Sequence, residues 1–97
     1  MESTNNSEEF YKKLKIQLQD TALWPTTYLY KFIVISETEK INKLKELFNH
    51  QGAVINTRES KNGKYTSVSI NVRMKNPDAV IAKYKEVATE IEGVISL

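Results

Sequence analysis

Asn62-Gly63 is flanked on both sides by residues that alternate between apolar and polar, and no other feature constrains the fold of this chain as strongly. Asn-Gly favours a two-residue type I′ turn, because both central residues of that turn need positive φ. A hairpin centred there sets Lys61 against Lys64, Ser60 against Tyr65, Glu59 against Thr66 and Arg58 against Ser67. It continues outward through Thr57/Val68, Asn56/Ser69 and Ile55/Ile70 to Ala53/Val72. Successive side chains of a strand point to opposite faces, so this register sorts the hairpin in two. One face holds Ala53, Ile55, Thr57, Val68, Ile70, Val72 and Met74. The other holds Asn56, Arg58, Ser60, Tyr65, Ser67, Ser69, Asn71 and Arg73. Slipping either strand by one residue would set apolar against polar.

The remaining elements fall on either side of this hairpin. Residues 1–6 are small and polar and are expected to be disordered. Over residues 7–20, Phe10, Leu14 and Leu18 recur every four positions with Tyr11 alongside, which predicts a helix, and Asn6 with Glu9 suits its capped start. Trp24-Pro25 stops it. Tyr28–Ile35 is dense in aromatic and β-branched residues and reads as a central strand buried on both faces. Ser36 with Glu39 forms a capping-box pattern before a helix carrying Ile41, Leu44, Leu47 and Phe48, and Gly52 ends it. Asn76-Pro77-Asp78 opens a last helix, with Asn as N-cap and Pro at the first helical position, whose buried stripe is Val80, Tyr84, Val87, Ala88 and Ile91. Gly93 breaks it, and residues 94–97 can add a short edge strand. The order predicts an α+β, ferredoxin-like βαββαβ sandwich over residues 22–97, with two helices on one face of a four-stranded antiparallel sheet and an additional N-terminal helix.

Two helices leave the other sheet face uncovered. Lys31 is costly to bury unpaired, so it is placed on that face. Leu29, Ile33 and Ile35 go out with it, while Tyr28, Tyr30, Phe32 and Val34 enter the core. An apolar patch beside polar residues marks something that packs there. The N-terminal helix is the nearest candidate and a second copy of the chain the next. From Arg58 to Lys75 there are five basic residues against one acid, whereas the net charge of the 97-residue chain is only +2. That total is too small to imply nucleic acid or membrane, and the hairpin reads either as ordinary solvated lysines or as a shallow anion-attracting face.

Catalytic chemistry finds no support in the residue types. Cysteine is absent, which removes disulfides and thiolate chemistry. His50 is the one histidine; it sits near a helix end, and no spaced carboxylates accompany it as metal ligands or as a base for a nucleophile. Ser60-Lys61-Asn62-Gly63 lacks the glycine pattern and following helix of a phosphate loop. RNA-recognition motifs share this strand order but stack bases on aromatics of the central strands, and here Tyr65 is followed by Ser67 and Ser69. No run reaches the ~20 apolar residues of a bilayer span. The first residues have no apolar signal core, so the cytoplasm is the expected compartment.

Trp24-Pro25-Thr26-Thr27-Tyr28-Leu29-Tyr30-Lys31, the stretch from Ser60 to Ile70 (SKNGKYTSVSI) and Lys83-Tyr84 together resemble the YbeD family of small bacterial proteins of uncharacterised function. Asn62 departs from the family pattern as an extra residue in the hairpin tip. The resemblance covers about residues 22–97 and implies an ACT-like, ferredoxin-type fold with a regulatory role. Taken with the open face, the expected function is non-enzymatic regulation or ligand sensing by a homodimer. A small anion or carboxylate would bind around Lys31, Arg58, Tyr65, Ser67, Ser69 and Arg73. The alternatives are a protein-interaction adaptor without a small ligand and, more remotely, an RNA-binding module. No cofactor and no metal are expected.

Overall fold

The computed structural model describes residues 2–49 and 52–97; His50 lies outside them. Along the chain run α1 (Glu2–Thr21), β1 (Thr26–Ile35), α2 (Thr38–Leu47), β2 (Val54–Glu59), β3 (Tyr65–Met74), α3 (Pro77–Glu90) and β4 (Ile95–Ser96). The strands form one antiparallel sheet in the order β2-β3-β1-β4. The fold class is therefore α+β, four strands with three helices.

The hairpin register is the one its alternation predicts, from Val54 opposite Asn71 to Glu59 opposite Thr66. Its turn is different. Gly63 has φ 75°, but no described non-glycine residue has positive φ, so Asn62 does not take the type I′ geometry. The connection is instead a four-residue loop, Lys61 to Lys64. The Gly63 N–H donates to the Ser60 carbonyl at 2.9 Å, and Ser60 N–H donates to the Tyr65 carbonyl at 2.8 Å. Asn62 serves through its side chain, whose Oδ1 accepts from Lys64 N at 3.0 Å and from Ser60 Oγ at 3.1 Å, the local bonding that favours asparagine in turns. A Cβ at Gly63 would find open space, its nearest neighbour being Glu59 Oε1 at 3.9 Å, so the cost of substitution there is conformational. Gly63→Ala is expected to lose about 1–2 kcal/mol in urea unfolding, and Gly63→Asn less.

β1 and β3 are the central pair and match over all ten residues, Thr26 opposite Met74 to Ile35 opposite Tyr65. β1 is not buried on both faces. Tyr30, Phe32 and Val34 are buried, whereas Leu29, Lys31 and Ile35 are exposed. Together with Val68, Ile70, Val72 and Met74 of β3, the inward set meets Leu44 and Phe48 from the α2 side and Val80, Tyr84 and Val87 of α3 in one core. Aromatic rings fill its centre. Tyr30 stacks on Phe32 at 5.7 Å and meets Tyr84 edge-on at 4.9 Å and Phe48 at 5.1 Å. Their hydroxyls find partners as buried polar groups must: Tyr30 Oη donates to the Val80 carbonyl at 3.1 Å, and Tyr28 and Tyr84 pair at 2.9 Å. Burial and the neighbouring tyrosines push the Tyr30 and Tyr84 phenols well above their usual value.

α3 starts as expected, with Asn76 Oδ1 accepting from Ala79 N at 2.8 Å and Pro77 in the first turn, although Ala88 is exposed. α2 does not use the capping-box pattern. Glu37 is its N-cap and makes no side-chain cap bond, because the Ser36 hydroxyl is engaged 2.7 Å from the buried Thr66 hydroxyl on β3. Gly52, at φ 67°, lies beyond the Phe48 C-cap rather than directly on it.

α1 differs most from the sequence expectation. It begins at Glu2, so residues 2–6 belong to it, and Asn6 lies within the helix instead of capping its start. No glycine or proline interrupts that stretch. Tyr11, Leu14 and Leu18 pack against the core, while Phe10 is 60% exposed. The helix lies along α3 rather than over the open sheet face. Lys15 Nζ is 2.9 Å from Asp78 Oδ1, Lys85 sits over the Tyr11 ring, and Trp24 Nε1 donates to the Leu18 carbonyl at 3.0 Å. The cause is connectivity. Only residues 22–25, including the cis Trp24-Pro25 bond, separate α1 from Thr26, and Thr26 pairs with Met74 just before α3 begins. The α1 end is thereby delivered to the first turn of α3.

Candidate functional site

The face opposite the helices is built from alternate residues of all four strands. On β1 these are Thr27, Leu29, Lys31, Ile33 and Ile35, and on β3 Tyr65, Ser67, Ser69, Asn71 and Arg73. β2 adds Val54, Asn56 and Arg58, and β4 adds Ile95 opposite Ile33. The apolar members concentrate on β1 and β4. Leu29 is 46%, Ile35 43% and Ile95 51% exposed, and Leu97, whose N–H donates to the Lys31 carbonyl, is 69% exposed. The β2/β3 half is mostly polar, with Val54 and Tyr65 as its exposed apolar members.

At the hairpin end a shallow depression of about 390 Å³ is lined by Ile33, Arg58, Glu59, Ser60, Lys61, Tyr65 and Ser67. It brings together Arg58, Tyr65 and Ser67 of the six residues singled out by sequence. Lys31 and Ser69 are paired with one another in the adjacent register row and border it. Arg73 does not join them: it lies four residues, about 13 Å, along β3 from Ser69, because a flat strand spreads same-face residues along its length. Sequence reasoning missed Ile33, Glu59, Ser60 and Lys61 as lining residues. The structure sets Ile33 opposite Ser67; the available sequence signal was the outward parity that Ile33 shares with Lys31.

Cations dominate the electrostatics of this face. Lys31, Arg58 and Arg73 are its charged strand residues, and none is in an ion pair among the described residues. Three lysines of the helical side are in ion pairs: Lys15 with Asp78, Lys43 with Glu90 and Lys83 with Glu86. Glu59 is the acid of the depression, standing at a core-face register position on the sheet edge. Tyr65 presents its ring to the Lys64 ammonium at 5.5 Å. Among the described residues no three His, Cys, Asp or Glu side chains are grouped to hold a metal, and no helix is long and apolar enough to cross a membrane.

Fold and face together define a small α+β domain with helices on one side of its sheet and a cation-bearing, partly apolar surface on the other. The chain belongs to a family of proteins of unknown function, DUF493, whose family model matches residues 19–95. That span takes in β1, β2, β3, α2, α3 and the first residue of β4 and leaves most of α1 outside. No curated protein and no solved structure was found to match the chain.

Proposed function

We propose that this chain is a small non-enzymatic regulatory domain that senses an anionic or carboxylate ligand and acts as a homodimer through its open sheet face. The fold reading that goes with it is ferredoxin-like and ACT-like. Its support is that β1 and β2 run the same way with β3 antiparallel between them, as do β3 and β4 around β1, giving two split β-α-β halves. The segments that resemble the YbeD family, residues 24–31 and 60–70, both lie inside the family match.

One observation carries the proposal: the apolar band of Leu29, Ile33, Ile35 and Ile95 stays uncovered, because α1, the nearest candidate cover, is packed on α3. Apolar surface collected on one side of a sheet is stabilised by a packing partner. Sedimentation velocity in phosphate buffer, from micromolar to millimolar chain, is expected to show a monomer–dimer equilibrium. Ile33→Glu is expected to abolish the dimer and leave the far-UV circular dichroism and thermal unfolding of the monomer intact, since Ile33 faces outward. A chain that stays monomeric over the whole range would sink the homodimer.

A further inference from the structure

The uncovered face is like-signed. Its charged strand positions are Lys31, Arg58 and Arg73, with no carboxylate among them, while Thr27, Asn56, Ser67, Ser69 and Asn71 are neutral. Two such faces brought together place six strand cations in one interface, against one acid lining the depression of each copy, Glu59. Like charges set against each other across an interface oppose association strongly, and a cation desolvated without a counter-charge is costly. The apolar half nonetheless favours self-pairing. Strands of ten, six, ten and two residues, at about 3.4 Å per residue and about 4.8 Å between strands, give a face of roughly 460 Å² per copy. Two copies would then cover about 900 Å², the size of a weak interface that a bound counter-charge can tip either way. Laid about a two-fold axis over β1, the Leu29/Ile33/Ile35/Ile95 bands of the two copies meet.

Resting on the dimer reading above, we infer that the ligand is a small multivalent anion, carrying two or more carboxylate or phosphate charges, and that its binding at Lys31 and Arg58 is what permits the two open faces to pair. Lys31 and Arg58 flank β3 from opposite sides. Lys31 is opposite Ser69 and Arg58 is opposite Ser67, so their Cα atoms are roughly 12 Å apart, two strand spacings across and two residues along. Both side chains are long enough to converge above the two serines. Arg58 supplies a planar fork suited to carboxylate or phosphate, Lys31 a point charge and Ser69 a hydroxyl donor between them, while the Ser67 hydroxyl donates to the Arg58 carbonyl at 3.4 Å. One anion of high charge can neutralise cations from both copies, which a monovalent ion cannot.

The test is sedimentation velocity of the full chain in a low-salt buffer free of multivalent anions, titrated with inorganic phosphate, with citrate, or with sodium chloride at matched ionic strength. Phosphate or citrate should strengthen the dimer about tenfold once present at ten times its own dissociation constant, with chloride far less effective. Lys31→Gln/Arg58→Gln should dimerise without added anion and lose the response. If chloride matches citrate and phosphate, screening alone is at work and the bound anion is overturned while the dimer stands. A wild-type dimer equally strong without any multivalent anion overturns the coupling. Monomer under every condition overturns the coupling together with the dimer itself.

Discussion

Tyr30→Ala is expected to lower the unfolding free energy by about 3–5 kcal/mol, a large share of the roughly 5–15 kcal/mol that holds a chain of this size folded. Tyr30 is wholly buried between Phe32, Phe48, Tyr28 and Tyr84, so its truncation opens a cavity in the middle of the core. Tyr30→Phe keeps the ring contacts and loses only the bond from Oη to the Val80 carbonyl, so its expected cost is about 1 kcal/mol. Urea titration of the two variants, followed by circular dichroism, separates ring packing from the hydroxyl. Similar losses for both would show that the hydrogen bond, and not the aromatic cluster, holds the sheet to α3.

Alkaline pH should unfold the protein steeply. Tyr30 and Tyr84 keep their protons in the folded state well above the pH at which an unfolded tyrosine releases its own, near 10. Below about pH 10 both states hold these two protons, and the contribution to stability is fully present. Above it the unfolded state has given up two protons that the folded state retains. Stability then falls by about 2.7 kcal/mol per pH unit from this pair, each proton accounting for about 1.36. Urea midpoints measured from pH 8 to 12 would show the decline, and phenolate absorbance would rise together with the loss of circular dichroism. Tyr84→Phe should halve the slope. A stability unchanged up to pH 12 would mean that both phenols reach water in the folded chain.

The hairpin and the central strand were legible in the sequence because a wrong register or the wrong face would have buried charge. Ser67, Ser69 and Arg73 alternate with Val68, Ile70 and Val72, and the single Lys31 decides which half of the Tyr28–Ile35 run turns outward. The α1 docking site was not legible. An apolar stripe tells that a helix packs, but not on what, and the deciding factor was a short connection that ends beside the first turn of α3. Ser36 misled for a related reason. A hydroxyl placed to cap a helix can also bond across to a strand, and the buried Thr66 needed the partner more than the exposed helix start did. At the site, face membership could be read from parity, but gathering could not. Arg73 shares the face of Arg58 and is removed from it by the length of the sheet.

The four-residue tip of the hairpin carries a consequence for how chains of this kind can vary. Ser60 and Tyr65 close the ladder from both sides, so the span from Lys61 to Lys64 can gain or lose a residue while every pair below it keeps its partner. Loss of Asn62 would shorten the crossing and take away its side-chain brace, yet Arg58 would still stand opposite Ser67. The tip is thus a place where length is free to drift without inverting the sheet, whereas a single residue added inside either strand would turn the cationic face into the core.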